Sequence, residues 1–302
     1  ALYPYSYIGN AKNGCPVSYF STGRLSVEGL LCFSSVARTG GFFWHSYQFT
    51  FKDLIRKAQE KNPDFVRCEA INIIDLKGLQ PSQLSSEVMD VLKGLGKISD
   101  LFPETMHCML VLNAPSFFAL SWRVIKSFLD PRTAAKIEVY SSEKRGTERL
   151  LELVDSSEVP SDYGGKGPST IEQSVMDIGP YSRLITEVLR IKKTGGSADY
   201  TFELKNGETL SKLEVYTRSA SSGEVSLSSQ SKTLETVHAT AKETGAEDVP
   251  FVGKLTPFQT SLPIQGPATL KLECVDKDSI TKKKAGFSVG YFLIVGYFSE
   301  TK

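Results

Sequence analysis

The chain has 302 residues, 40% hydrophobic and 23% charged, and a formal net charge of +1. That length supports a substantial core and two domains, and the small charge gives no basis for broad nucleic-acid backbone contact. Five scattered cysteines without a CxxC pair read as reduced structural thiols of a cytoplasmic protein, and no apolar run reaches the ~20 residues of a membrane span. Any membrane contact is therefore expected to be peripheral. The chain begins at Ala1 without a Met, which leads us to expect a segment ahead of it.

In chain order, Asn13-Gly14 followed by Cys15-Pro16 is a turn signal, and residues 17–20 read as a short strand. A helix is expected from about Phe49, with Phe51, Leu54, Ile55 and Ala58 as its inner face and Pro63 as its stop. Residues 70–74 form a short apolar strand. Pro81 and Ser82 then lead a helix to about Lys97, whose apolar face is Leu84, Val88, Val91, Leu92 and Leu95. Residues 108–112 and 136–140 are further strands, and 147–154 is a short helix. Short apolar strands alternating with helices predict an α/β layer with a mainly parallel sheet.

Between those last two strands lies a helix, 116–129, with more apolar surface than one packing face needs. Phe117, Leu120, Val124 and Phe128 form one stripe at helical spacing, and Phe118, Trp122, Ile125 and Leu129 form a second. An ordinary surface helix buries one stripe. Two stripes require either full burial or a second apolar compartment.

After Tyr163-Gly164-Gly165 the helical periodicities stop, and 166–180 reads as a glycine- and proline-bearing linker. Strands are expected at 185–191, 200–204, 210–216, 225–227 and 270–274. Residues 287–297 alternate with period two, yet both faces are apolar, which predicts a central strand. Several short strands separated by turns indicate a β-sandwich. The serine-rich 217–234 and the 241–250 segment are expected as exposed loops.

The three histidines, His45, His107 and His238, are neither paired at i+4 nor joined to a CxxC, so no metal site is expected. There is no Gly-x-Ser-x-Gly elbow and no phosphate-binding loop of the GxxxxGK[ST] kind. No nucleophile, base and orienting group assemble from the motifs, so the chain is not expected to be an enzyme or to hold a cofactor. The polar residues of interest border the apolar helix: Glu104 before the strand at 108, and Thr133 and Lys136 before the next. Parallel crossovers bring both strand entries to one edge of the sheet. An acceptor, a hydroxyl and an ammonium group there suit a polar head bearing hydroxyls and phosphate. By residue chemistry alone, Glu104 and Lys136 read first as a surface ion pair of small energetic value.

The segments KNGCPV (12–17), INIIDLKGL (71–79), FPETM (102–106), NAPSFF (113–118), FLDPRTAAKI (128–137) and VPSDYGGKG (159–167) resemble the CRAL-TRIO lipid-binding domain of Sec14-like proteins. The β-rich remainder resembles the GOLD domain that follows it in the supernatant protein factor group. The resemblance implies a CRAL-TRIO domain over 1–170 with a hydrophobic cavity, a linker at 171–182, and a GOLD-like sandwich over 183–302. The helical segment that usually precedes the lipid domain has no counterpart in these residues. The resemblance further implies a soluble carrier that encloses one lipid, phosphatidylinositol or a related phospholipid, and exchanges it with membranes through a gate helix at 116–129. Glu104, Thr133 and Lys136 match headgroup-contact positions, with Lys12 as an added basic residue. Phe117, Phe118, Trp122, Ile125 and Phe128 are the implied cavity and gate residues. Squalene or tocopherol remain alternative cargoes, and a lipid-regulated adaptor binding a protein through the GOLD-like domain is the alternative function.

Overall fold

The structure, a computed structural model, describes residues 4–33, 36–84, 86–99, 101–102, 104–170, 178–191, 195–217, 222–240, 255–276 and 290–300. These fall into two compact units. One contains the described residues of 3–25 and 36–176, and the other those of 26–35 and 177–302.

The first unit is built on a five-stranded sheet of β1 (Tyr5–Asn10), β2 (Pro16–Ser21), β3 (Ala70–Asp75), β4 (Met106–Leu112) and β5 (Ile137–Val139), in that spatial order. Strands β2 to β5 run parallel, as the alternation of strands and helices predicts, and β1 is antiparallel to β2. The aromatic run ahead of the Asn-Gly turn is thus a strand that sequence reading missed. Gly14 in the turn has φ +88° and faces the Phe65 ring, where a Cβ would sit 2.8 Å from a ring carbon. Only glycine meets both conditions without strain.

The helix expected from about Phe49 begins earlier, at Val36. Following α1 of the other unit (Val27–Phe33), α2 (Val36–Phe49) passes through a π-helical turn, Thr50–Ile55, into α3 (Arg56–Lys61). Ile55 and Ala58 are buried as the inner face requires, whereas the side chain of Phe51 lies outside the described set. Pro81 opens a short 3-10 turn, and the helix proper, α4 (Ser86–Ser99), follows it. The side chains of Val91 and Leu95 also lie outside the described set. Then come α5 (Phe118–Ser127), α6 (Pro131–Ala135) and α7 (Glu143–Leu153). Each sheet face carries its own core. Cys15, Val17, Tyr19, Ile71, Ile73, Cys108, Leu110 and Leu112 pack with Ile55, Ala58, Leu150 and Val154 on one side. Ile74, Met109, Val111 and Ile137 pack with Leu76, Leu79 and the α5 residues on the other. Period-two alternation within each strand divides the side chains this way.

The second unit is an antiparallel two-sheet sandwich, the architecture expected of a GOLD-like module. One sheet has the order β10 (Lys232–Thr240), β9 (Ser222–Ser229), β13 (Ala268–Asp276), β7 (Ser197–Leu204). The other has the order β11 (Leu255–Pro257), β8 (Glu208–Thr217), β14 (Gly290–Glu300), β6 (Arg183–Ile191), with β12 (Ile264–Gln265) also on β8. Strand β14 is central, between β8 and β6, and both of its faces are used. Phe292, Ile294 and Phe298 enter the sandwich core, while Leu293 and Val295 pack under Cys32 of α1. The Arg190 guanidinium donates to Glu28 Oε1 at 2.8 Å beside this contact. The double apolar character of that strand therefore has two separate causes.

The described part of the serine-rich 217–234 stretch is not a loop, residues 218–221 lying outside the described residues. It holds most of the β9–β10 hairpin, turning at Gln230 and Ser231, both at positive φ. Val225 and Leu227 face the core, and Ser226 occupies the outward position between them. The strand expected at 225–227 is the core of β9, whereas the loop expected over the rest of this stretch is replaced by paired strands. The 241–250 segment and residues 287–289 lie outside the described residues.

Candidate functional site

Helix α5 packs one apolar stripe on the sheet and exposes the middle of the other. Phe118 is 6% exposed, and with Trp122 and Ile125 it packs against Leu76, Leu79, Val111 and Ala114 on the sheet. Phe117 joins the same cluster. The other stripe points outward: Leu120 is 69% exposed and Val124 is 52% exposed. Arg123 and Lys126 are exposed beside them, and Phe128 at the end of the helix is half-buried. The helix has no side-chain N-cap, and it is held chiefly by its inward stripe. Asp130 then caps α6, its carboxylate accepting from the Arg132 backbone N–H at 2.9 Å. That backbone bond outweighs the cost of desolvation and holds the Asp130 carboxyl below its ordinary range. The turn between α5 and α6 is thus pinned on its α6 side.

At the amino-terminal edge of the sheet, Lys136 Nζ lies 3.0 Å from Glu104 Oε2 and donates to the Met106 carbonyl at 2.9 Å. Parallel pairing of β4 with β5 produces this convergence, since each residue stands just ahead of its strand. Glu104 has φ +57°, a left-handed conformation for a residue with a Cβ. Thr133 is half-buried on α6, and its carbonyl accepts the Lys136 backbone N–H at 3.1 Å. Glu104 and Lys136 are therefore paired, and Thr133 adjoins Lys136 through a backbone bond. Lys12 does not join them. Its ammonium donates to the Leu151 carbonyl at 2.7 Å and its backbone N–H to the Leu153 carbonyl at 2.9 Å. The first β-turn packs on the end of α7, and this draws Lys12 there.

Two features of this unit were not singled out from sequence. Helix α2 carries an aromatic band: Trp44 lies 5.2 Å from Phe102 between ring centroids, and Tyr47 stacks on the same ring at 5.0 Å. Phe42, Trp44 and Phe49 remain partly exposed. The density of aromatics in 42–49 was the available signal. The second feature is a polar cavity of about 310 Å³ at the carboxyl ends of β2 to β4, lined by Ser21, Arg24, Asp75, Lys77, Asn113 and Tyr163 among others. Asp75 is buried there and accepts from Tyr163 Oη at 2.6 Å, Asn113 Nδ2 at 2.8 Å and the Lys77 backbone N–H at 2.9 Å. Burial first, then the Asp75 charge, pushes the Tyr163 phenol upward. Tyr163 therefore stays protonated and serves as a donor. The network ties the DLKG segment to the YGG exit.

The CRAL/TRIO domain family pattern matches residues 2–165. "Phosphatidylinositol/phosphatidylcholine transfer protein SFH4" of Arabidopsis thaliana is 30% identical over 201 residues, covering 65% of this chain and 32% of that protein. "SEC14 cytosolic factor" of Yarrowia lipolytica is 31% identical over 182 residues, covering 60% of this chain and 36% of that protein. The chain spans about a third of the length of these relatives. Among solved structures, that of Sfh5 aligns with 59% of both chains at 20% identity and a TM-score of 0.38. Among the described residues, no helix is long and apolar enough to cross a membrane.

Proposed function

Because the chain belongs to the CRAL/TRIO domain family, we propose that it binds a single lipid and carries it between membranes, with no catalytic step. The single observation that carries this reading is the division of α5, one stripe packed on the sheet and the other, with Leu120 and Val124, facing out. A helix built that way is held by one apolar layer and offers a second to a membrane. Moving α5 off the sheet opens the apolar layer beneath it, lined by Phe117, Phe118, Trp122 and Ile125, to acyl chains. Each methylene kept from water there is worth roughly 0.8 kcal/mol. Release then needs only a bilayer of equal apolarity.

The cargo we propose is phosphatidylinositol or a closely related phospholipid. Lys136 supplies the cation for the phosphate, and Thr133 and Glu104 supply a hydroxyl and an acceptor for ring hydroxyls. The Glu104–Lys136 pair engages these groups with each other, and it is cheap to break because the Glu104 end is exposed. The similarity to phosphatidylinositol/phosphatidylcholine transfer proteins supports this cargo class. The proposed setting is the cytoplasm with transient membrane contact. For the GOLD-like sandwich of the second unit a protein-binding role is proposed.

The test is transfer of labelled phosphatidylinositol and phosphatidylcholine between donor and acceptor liposomes. Transfer that rises in proportion to protein is expected. Rates equal to the protein-free blank for both lipids overturn the reading.

A further inference from the structure

Among the described residues, metal-ligating side chains converge on the face of the sheet away from α5. Cys15 stands just before β2, Glu69 just before β3, and His107 lies within β4. Their Sγ, carboxylate oxygen and ring nitrogen all lie within 4.8 Å of one another. The three come from adjacent parallel strands. Val17 pairs with Ile71, so Cys15 and Glu69 continue the same row of the sheet by two residues.

His107 reaches this row only through an irregularity. Ala70 pairs with Met106 and Ile71 with Cys108, which leaves His107 as the extra residue of a β-bulge. In an unbroken strand, His107 and Cys108 point to opposite faces. Cys108 packs with Cys15, Val17 and Ile71 on the face away from α5, so a regular β4 turns His107 toward the lipid side. The bulge turns it back, and its Nδ1 lies 2.9 Å from Glu69 Oε2. Re-aiming one side chain is what bulges do.

We infer that Cys15, Glu69 and His107 form a binding site for one zinc-class divalent cation, on the face of the sheet opposite the lipid. The donor set selects the metal: a thiolate, an imidazole and a carboxylate suit zinc, whereas magnesium and calcium take oxygen ligands. Zinc bonds of about 2.0–2.3 Å in a tetrahedron set donors roughly 3.3–3.8 Å apart, so the three side chains need only a small inward closure. Water takes the fourth position. On binding, the S–H bond of Cys15 breaks, its electron pair goes to the metal, and one proton leaves to solvent.

Arg67 is the competing cation, its guanidinium 3.4 Å from Glu69 Oε2 and 3.3 Å from His107 Nδ1. Its side chain is 53% exposed, so it swings into water at little cost when the metal enters. This gives the inference a sharp test. If the cluster is only an ion network, Arg67 organises it. If it is a metal site, Arg67 opposes the metal.

The experiment strips the full chain with chelator, titrates it with Co²⁺ as a spectroscopic probe, and displaces the probe with Zn²⁺. One Co²⁺ per chain with a thiolate-to-cobalt charge-transfer band is expected, lost on adding one equivalent of Zn²⁺. His107→Gln, at a partly exposed position, should keep the urea midpoint of the metal-free chain. It should weaken zinc at least about tenfold, the lower bound seen for losing even an outer-shell partner. Cys15→Ser should abolish the charge-transfer band, and Arg67→Ala should bind zinc as tightly as the parent or more so. Absence of saturable binding at one ion per chain, unchanged affinity in His107→Gln, or weaker binding in Arg67→Ala each overturns the site.

Discussion

Replacing Lys136 by alanine separates the headgroup role of this residue from its structural one. Its ammonium makes two contacts, to the Met106 carbonyl at 2.9 Å and Glu104 Oε2 at 3.0 Å. Glu104 is 68% exposed, so that pair is worth about 0–1 kcal/mol. The Met106 carbonyl loses one hydrogen bond worth about 1 kcal/mol. Stability should therefore fall by no more than about 2 kcal/mol, roughly a 1 M shift or less in a urea midpoint for ordinary slopes. A bond from the ammonium to a lipid phosphate is charge-assisted and worth about 1.5–3 kcal/mol. Phosphatidylinositol carries a net negative charge, whereas the choline of phosphatidylcholine cancels its phosphate. Lys136→Ala should thus lower the bound inositol-to-choline lipid ratio roughly 10- to 150-fold, with the fold intact. The assay is mass-spectrometric lipid analysis of parent and variant after incubation with the same mixed liposomes, beside urea unfolding of each. An unchanged lipid ratio refutes the headgroup assignment, whatever happens to stability.

The two stripes of α5 should respond oppositely to substitution. Phe118→Ala should cost about 3–5 kcal/mol in unfolding experiments because it empties a packed site, whereas Leu120→Ser should shift stability by no more than about 0.5 kcal/mol and yet slow lipid transfer. Equal transfer rates for Leu120→Ser and parent would remove the outward stripe from the mechanism. Tyr163→Phe deprives the buried Asp75 carboxylate of its 2.6 Å donor and should destabilise the first unit by about 1.5–3 kcal/mol, read as a lowered denaturation midpoint. In the sandwich, burial raises the Glu235 carboxyl. The backbone N–H of Gln259, the Ser261 hydroxyl and the N–H groups of Ser261 and Thr260 outweigh burial and hold it at about 2. Because the folded value lies below the unfolded one, this contribution is complete above the ordinary carboxylate range and fades as pH falls toward about 2. Glu235→Gln should accordingly show a shallower acid loss of stability than the parent over that window, and parallel curves would exclude the carboxylate as its source.

Where apolar spacing alone determines an element, the sequence was legible. The parallel strands of the first unit and the central position of β14 followed from apolar runs and double-faced alternation, and α5 announced its surplus surface through its two stripes. What spacing could not show is which partner a stripe meets. The second face of β14 is covered by Cys32, some 260 residues earlier in the chain, and nothing near 290–300 points to it. The core of β9 was legible at 225–227, but the full β9–β10 hairpin was not, because polar residues such as Glu224, Ser226, Thr236 and His238 alternate with the inward Val225, Leu227 and Val237. Lys12 looked free to assist a phosphate until the packing of the first turn on α7 engaged it. The cysteine, glutamate and histidine at 15, 69 and 107 show no ligand spacing, since strand register and a bulge, not local sequence, bring them together.

The most direct measurement of the central claim is native mass spectrometry of the intact chain, purified without detergent and then incubated with mixed phospholipid liposomes. The account predicts a single added mass of one phospholipid per chain, with phosphatidylinositol over-represented relative to its share of the liposomes. A chain that stays at its lipid-free mass after that exposure, while remaining folded, contradicts it.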